Sequence, residues 1–213
     1  MSLISIFYKT ILEALFPISE AERRILSLTP EQAYNLLPSA PSSPIPDTYS
    51  VFSYKDDRVS KMVWNIKYKK SKPAVSIGSY ALYKKLIEMS LPSNSVIIPI
   101  PITNRRKNER GYNQCELLMD AVRDLDAEKI FTFRKDILLR RQHTSRQTLK
   151  GRQERLADAK GIFSLNPDDL GTLKDKTIVI IDDVITTGST INEAMKTVRR
   201  GGCQKVYGLS LAH

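Results

Sequence analysis

The chain has 213 residues, of which 41% are hydrophobic and 26% charged, and its formal net charge is +10. This composition is typical of a globular protein and excludes a disordered chain. Charged residues interrupt every long apolar run, so we expect no membrane span, and two cysteines, Cys115 and Cys203, are too few for a zinc cluster.

The first part of the chain is predicted to be helical up to residue 37. Within it, Thr29 precedes Pro30 and Glu31, a pattern typical of a helix start with proline at the first helical position. Residues 38–46 read PSAPSSPIP and are predicted to form a linker. We therefore expect a helical N-terminal segment (residues 1–37), a Pro/Ser segment (residues 38–46) and a main domain (residues 47–213).

In the main domain, strands alternate with helices. The predicted strands are 49–54, 95–100, 137–139, 177–181 and 206–212, and the predicted helices are 57–68, 74–89, 111–124 and 190–200. Several strands are apolar on both faces, which is characteristic of strands buried between two layers of helices. The sequence predicts an α/β fold with a mostly parallel sheet flanked by helices and a small helical N-terminal appendage.

The most informative segment covers residues 178–190 and reads IVIIDDVITTGST. Asp182 and Asp183 follow a buried strand, and ligands of open α/β sheets bind at the carboxyl ends of strands. A loop rich in hydroxyl groups then leads into a helix, whose unpaired N–H groups and dipole favour a phosphate. The candidate phosphate-binding residues are Thr186, Thr187, Gly188, Ser189 and Thr190.

Two carboxylates and an anion site this close together cannot both face one phosphate. Carboxylates accept hydrogen bonds from sugar hydroxyls, so the pattern fits a phosphorylated sugar. The plainer interpretation is a strand, a turn and an ordinary Ser/Thr helix cap. A cap needs only one hydroxyl, so this interpretation leaves the rest of the loop and both acids unexplained.

The same 13 residues resemble the phosphoribosyl diphosphate (PRPP) motif of type I phosphoribosyltransferases. The resemblance implies that Asp182 and Asp183 are the catalytic acids that bind the ribose hydroxyls, and that residues 186–190 bind the 5′-phosphate. It also implies that Mg²⁺ takes part, held mainly by PRPP itself, with no direct protein ligand. No zinc is expected, because the sequence has only two cysteines. Since PRPP is an intracellular metabolite, a cytoplasmic location is expected.

Further segments narrow the resemblance to the ComF/GntX competence-type phosphoribosyltransferases. These segments read NIKYKK (65–70), IIPIPITNRRKNERGYNQ (97–114) and RRQHTSRQTLKGRQERLADAKGIF (140–163). The implied diphosphate-binding residues are Ile100, Pro101, Ile102, Arg105 and Arg110, and the implied hood-loop residues are Arg141, Arg146, Lys150 and Arg152. The family commonly opens with a four-cysteine zinc module, whereas this sequence has no cysteine before Cys115.

Three functions stay open at this point: a phosphoribosyltransferase with an unidentified acceptor, a non-catalytic competence or DNA-uptake factor, and a PRPP sensor. Basic clusters at residues 55–72, 105–110 and 134–155 favour an anionic partner, which could be single-stranded DNA. Trp64 and Tyr68 lie within the first cluster and could stack on bases. The competence-type relatives also suggest a competence helicase as a partner, and the sequence does not indicate an oligomeric state.

Overall fold

The computed structural model of this protein describes residues 19–93, 95–141, 161–169 and 171–213. Its α-helices are α1 (Glu20–Ser27), α2 (Pro30–Leu36), α3 (Asp57–Trp64), α4 (Lys72–Glu88), α5 (Asn104–Arg110), α6 (Gln114–Leu125) and α7 (Ser189–Arg200). A π-helix (Asn65–Lys69) continues α3, and a 3₁₀ turn covers Pro167–Asp169. The strands are β1 (Thr48–Phe52), β2 (Val96–Pro99), β3 (Thr132–Phe133), β4 (Leu138–Arg140), β5 (Phe163–Leu165), β6 (Thr177–Val184) and β7 (Lys205–Ala212).

A parallel sheet organises these elements. Its strand order is β1-β7-β6-β2-β3, and every neighbouring pair is parallel. A separate antiparallel pair, β4 and β5, lies outside this sheet. The predicted α/β fold with a mostly parallel sheet and flanking helices is therefore confirmed.

The central strand β6 separates two hydrophobic cores. Successive side chains of a strand point to opposite faces, so Val179 and Ile181 enter one core and Ile178 and Ile180 the other. The first core packs against α3, α4 and α6, and the second packs against α7 and the β4–β5 pair. Burial on both faces explains why β6 has an uninterrupted β-branched apolar run.

The N-terminal helices α1 and α2 pack into the first of these cores. Ile25, Ala33 and Leu37 are buried there together with Phe52 of β1. Thr29 starts α2 with a capping box, in which its hydroxyl accepts from the Gln32 amide while the Gln32 side chain accepts from the Thr29 amide. This appendage therefore shares its apolar surface with the sheet domain.

The Pro/Ser segment is hydrogen-bonded to the edge of the sheet. The Ala40 amide donates to the Val51 carbonyl (2.9 Å), and the Ser53 amide donates to the Pro38 carbonyl (2.9 Å). These contacts attach the segment to β1, which is an edge strand. The segment boundaries expected from the sequence stay predictions, but the start of the segment is attached to β1.

Three details differ from the sequence expectation. β6 continues to Val184, so both acids lie within the strand and not after it. Helix α5 occupies residues for which no element was predicted, and it has no buried residue that could have produced an apolar periodicity. The chain after Trp64 continues as a π-helix, which the α-helical period does not predict. Among the described residues, no helix is long and apolar enough to cross a membrane.

Candidate PRPP site

The ends of two neighbouring parallel strands create the candidate site. β2 and β6 are paired from Val96 with Ile178 to Pro99 with Ile181, and the Ile100 amide donates to the Ile181 carbonyl (2.9 Å). The loops that follow these strands therefore leave the sheet at the same edge. This edge is where ligands of open α/β sheets bind, and it carries both predicted anion-binding loops.

Asp182 is buried at this edge on the side of the second core. Its Oδ1 accepts a hydrogen bond from the Asp183 amide (2.8 Å) and lies 3.5 Å from the Cys115 Sγ. Burial first, and the neighbouring Asp183 charge second, raise the pKa of Asp182 to about 7. Burial and the Asp182 charge also raise the pKa of the Cys115 thiol well above its ordinary value, so the thiol is protonated at neutral pH.

Asp183 points to the opposite face of the strand. Its Oδ1 accepts from the Val184 amide (2.8 Å), and its Oδ2 lies 3.3 Å from the Lys67 Nζ. The Lys67 contact has the distance of an ion pair but not the geometry of a hydrogen bond, and Asp183 Oδ2 has no hydrogen-bond partner among the described atoms. This buried oxygen is therefore available to a hydroxyl donor.

Lys67 belongs to the π-helix, which is held from two directions. Within that helix, Asn65 donates to the buried Glu22 of α1 through its side-chain amide (2.6 Å). At its end, the Tyr112 hydroxyl donates to the Ile66 carbonyl (2.6 Å) and accepts from the Lys70 amide (3.1 Å). The N-terminal helix and the predicted RGYNQ segment thus fix the helix that directs Lys67 to Asp183.

The phosphate loop, residues 186–190, joins β6 to α7. A small pocket is lined by Asp182 and by residues 184–191, so one acid and the whole loop face the same space. Gly188 has a φ of 72°, a left-handed conformation that favours glycine, and it begins α7 with no side-chain cap. Two loop hydroxyls contact each other, because Thr187 Oγ1 lies 3.1 Å from Ser189 Oγ. The Ser189 amide donates to Thr187 Oγ1 only over a long distance of 3.4 Å. The ordinary helix-cap interpretation is therefore not supported, and the N-terminus of α7 is open to an anion.

The predicted diphosphate-binding residues differ in their burial and in their hydrogen-bond partners. Ile100 is buried, its carbonyl accepts from the Asn113 side-chain amide (3.0 Å), and the half-buried Ile102 follows in the same loop. The Pro101 carbonyl accepts from Arg140 (3.3 Å). Arg110 donates to the Gln114 side chain (2.8 Å), whereas the Arg105 side chain is 82% exposed beside Glu109. Diphosphate binding by these residues stays a prediction.

Of the predicted hood residues, Arg141 lies within the described part of the chain and is exposed. Its amide donates to the Ile162 carbonyl (2.9 Å) and so continues the β4–β5 pair. Arg146, Lys150 and Arg152 lie outside the described residues. Their role stays a prediction.

Three residues of the site were not singled out from the sequence: Lys67, Cys115 and Arg140. Lys67 lies in the NIKYKK segment that carried part of the family resemblance, but nothing in one sequence shows that its side chain faces Asp183. Cys115 directly follows the RGYNQ segment, and the Asn113 side chain accepts from its amide (2.9 Å). Arg140 is half-buried, and burial together with the nearby Arg106 lowers its pKa.

The acid pair fits a divalent cation only in part. One ligand atom each from Cys115, Asp182 and Asp183 lies within 4.8 Å of the others. Carboxylate oxygens suit Mg²⁺, but a protonated thiol does not, and the Lys67 ammonium opposes a cation at Asp183. This donor set is more suitable for a Mg²⁺ ion that takes its other ligands from a bound substrate than for one held by the protein alone.

Comparison with known proteins gives similarities to one domain family and to competence proteins. Residues 126–209 match the phosphoribosyl transferase domain. Competence protein F of Haemophilus influenzae is 35% identical over 132 residues, which are 61% of this chain and 55% of that protein. This chain is therefore similar to ComF-type competence proteins and, over part of its length, to the phosphoribosyl transferase domain. Its parallel sheet, flanking helices and acid-loop-helix motif agree with the α/β fold that the sequence predicted.

Two other relatives match with lower identity. Competence protein ComFC of Streptococcus pneumoniae is 32% identical over 114 residues, which are 54% of this chain and 46% of that protein. The DNA utilization protein YhgH of Shigella flexneri is 27% identical over 155 residues, 70% of this chain and 64% of that protein. The chain thus spans about half the length of the competence proteins that it matches.

Solved structures give more distant similarities. An allosteric regulatory enzyme of purine biosynthesis is matched over 70% of this chain and 30% of its own, with 15% identity and a TM-score of 0.42. A hypoxanthine phosphoribosyltransferase from Staphylococcus aureus is matched over 70% of this chain and 62% of its own, with 12% identity and a TM-score of 0.36.

Proposed function

We propose that this protein is a ComF-type phosphoribosyltransferase-family member that binds PRPP with Mg²⁺ and transfers or recognises its 5-phosphoribosyl group. One observation carries the proposal: a buried carboxyl, Asp182, and an uncapped helix N-terminus share one pocket at the carboxyl end of β6. The helix N-terminus would bind a phosphate of the ligand, and the carboxyl would accept a hydrogen bond from a sugar hydroxyl of the same ligand.

The geometry gives the acids and the loop separate tasks. Asp182 Oδ1 and Asp183 Oδ1 each accept from a backbone amide, which holds both carboxyls in place and leaves their other oxygens for the ribose hydroxyls. The loop amides and hydroxyls would hold the 5′-phosphate against the dipole of α7. With both ends of the ribose fixed, its C1 carbon would be held beside the loop after β2, where the diphosphate leaves.

Mg²⁺, when bound with PRPP, would neutralise charge on the diphosphate and help it to leave. Lys67 supplies a fixed positive charge beside Asp183, and the half-buried Arg140 supplies another beside the Pro101 carbonyl. Both cations favour an anionic ligand over a neutral sugar.

Calorimetric titration with PRPP and Mg²⁺ tests the proposal. We expect the wild type to bind, and we expect Asp183→Asn and Asp182→Asn each to weaken binding by about tenfold or more, since each removes an ionisable acceptor of a ribose hydroxyl. Asp175→Asn is the matched control, because Asp175 is exposed and lies just before the opposite end of β6. Failure of the wild type to bind PRPP would refute the proposal.

A separate measurement distinguishes transfer from recognition. Diphosphate release from PRPP is followed with a panel of nucleobases and amines. Release that depends on one acceptor and is lost in Asp183→Asn supports a transferase. Tight binding without release supports a PRPP sensor.

A second candidate function, binding of single-stranded nucleic acid, is favoured by one surface. Trp64 and Tyr68 are exposed and lie 5.6 Å apart by ring centroids. The Lys69 ammonium lies 4.9 Å from the Trp64 ring centre, and the Arg110 guanidinium lies 5.1 Å from that of Tyr68. Exposed rings beside cations are the arrangement on which unpaired bases stack while the phosphates are neutralised.

Fluorescence anisotropy with a labelled oligothymidylate tests this candidate. We expect binding that weakens steeply with salt, and we expect Trp64→Ala and Tyr68→Ala to weaken it. Tyr49→Ala is the control, because Tyr49 is similarly exposed at the β1 edge of the sheet and has Tyr207 as its aromatic neighbour. An equal effect of all three substitutions, or a flat salt dependence, would count against a nucleic-acid surface at Trp64 and Tyr68.

A further inference from the structure

A turn at residues 43–48, where the Pro/Ser segment meets β1, is held firmly by its own hydrogen bonds. The Thr48 hydroxyl contacts both the Ser43 hydroxyl and the Ile45 carbonyl, the latter at 2.6 Å, and the Ile45 amide donates to the Ser43 hydroxyl (3.2 Å). Thr48 is buried, so these bonds are shielded from water. The backbone around Ile45 is therefore fixed to the sheet.

The same turn is attached to α7. The Asp47 carboxylate accepts from Arg199 in the last turn of α7 (2.7 Å), and the Asp47 carbonyl accepts from the Gly208 amide of β7 (2.9 Å). Asp47 itself has a φ of 59°, which turns the chain sharply between these contacts. The turn thus bridges β7 and the helix whose N-terminus forms the phosphate loop.

Between these attachments, the Ile45 side chain packs against the phosphate loop. A methyl group added at Gly188 would overlap the Ile45 Cδ1, would lie 3.0 Å from its Cγ1 and would lie 3.6 Å from Ile185 Cγ2. Ile45 and Ile185 belong to the apolar surface around the second core. Ile45 does not line the pocket itself, so it contacts the loop without occupying the space where a ligand would bind.

We infer that Ile45 is a positioning residue for the phosphate loop: it supports Gly188 from outside the pocket and holds the amides of residues 187–190 in the arrangement that binds the 5′-phosphate. The inference rests on the proposed function, because it assumes that the loop binds a phosphate. It adds that a residue from the Pro/Ser segment, outside the 13-residue motif, contributes to that binding.

The position of Ile45 beside the phosphate loop predicts which ligands should bind more weakly when its side chain is removed. Ile45 contacts the phosphate loop, whereas the candidate diphosphate loop follows β2 on the next strand. Loss of the Ile45 side chain should therefore weaken a ligand that needs the phosphate loop, such as ribose 5-phosphate. Inorganic pyrophosphate with Mg²⁺, which can use the other loop, should be affected little.

Calorimetry with ribose 5-phosphate, pyrophosphate and PRPP tests the inference on wild type and Ile45→Ala. We expect Ile45→Ala to raise the dissociation constants for ribose 5-phosphate and PRPP about tenfold and to leave that for pyrophosphate unchanged. Leu36→Ala is the control truncation, because Leu36 is 49% exposed and lies at the end of α2. Unchanged or tighter binding of ribose 5-phosphate by Ile45→Ala overturns the inference.

A second comparison tests the contact with Gly188 directly. We expect Gly188→Ala to weaken ribose 5-phosphate binding more in the wild type than in the Ile45→Ala background, because the overlap exists only when Ile45 is present. Gly171→Ala is the control for backbone strain alone, since Gly171 has a φ of 86° and nothing within 4 Å of an added methyl group. Additive effects of the two substitutions overturn the inference, as does an equal weakening of ribose 5-phosphate and pyrophosphate by Ile45→Ala. Failure of the wild type to bind PRPP and ribose 5-phosphate instead refutes the proposed function, and the inference with it.

Discussion

Asp182→Asn should make the protein more stable and a poorer binder of PRPP. The Asp182 carboxyl is buried beside Asp183, and its pKa is raised to about 7. The unfolded chain releases this proton near pH 4, whereas the folded protein retains it until about pH 7. Asp182 therefore lowers the stability of the fold progressively as pH rises between these values, and the full cost is present above pH 7.

The magnitude follows from the size of the shift. Each pKa unit corresponds to about 1.4 kcal/mol, so a shift from 3.8 to about 7 sets a ceiling of about 4 kcal/mol. Asparagine keeps a side-chain oxygen that can accept from the Asp183 amide, so the substitution removes the charge and retains that hydrogen bond. The stability gain of Asp182→Asn should be close to zero at pH 4 and approach its maximum near pH 8.

Urea unfolding of wild type and Asp182→Asn between pH 4 and pH 8 measures this difference. Asp175→Asn again serves as the control for loss of an exposed carboxyl. A difference between Asp182→Asn and wild type that stays constant over this pH range, or that shrinks as pH rises, would refute the reasoning. Asp182→Asn should also bind PRPP more weakly than wild type. The two results together would show that the Asp182 carboxylate lowers stability and contributes to PRPP binding.

Three further outcomes are expected. Lys67→Met leaves Asp183 without its cation and should lower the free energy of unfolding at pH 7 by about 1–3 kcal/mol. Lys67→Arg should retain most of this free energy, and an equal loss of stability in both variants would argue against a charge effect. Asn113→Ala removes the N-cap of α6 and should cost about 1–2 kcal/mol in thermal or urea unfolding, whereas an unchanged midpoint would show that the cap is dispensable. Gly208→Ala places a methyl group 2.8 Å from the Ile191 side chain and should lower the free energy of unfolding by about 1–3 kcal/mol in the same unfolding assay. A variant as stable as wild type would mean that α7 can move away from the sheet.

The sequence predicted those parts of the fold that local patterns encode. The β-branched run of β6 and the hydroxyl-rich loop before α7 have strong local signals, and both lie where they were expected. Helix α5 has no buried residue, so no apolar period reveals it. Its two ends did carry a signal, because Thr103 caps its start and Gly111 ends it with a φ of 77°.

The candidate site was predicted in part, for a related reason. Asp182 and the loop are neighbours in sequence, so one motif contains both. The side chain of Lys67 reaches Asp183 from an element more than 100 positions away in sequence, and Ile45 reaches Gly188 from a segment whose composition predicts a linker. Contacts of this kind depend on tertiary packing, which one sequence read locally does not report.

The π-helix at Asn65–Lys69 makes the site sensitive to insertion and deletion. A π-turn holds one more residue than an α-turn, and such bulges are frequent at functional sites. Deletion of one residue here would restore the α-helical period and shift the register of the residues within this turn, whereas the flanking segments would keep theirs. Lys67 would then leave Asp183 while the surrounding core kept its composition. A change of one codon in length would therefore alter the charge beside Asp183 without any substitution at the acids themselves.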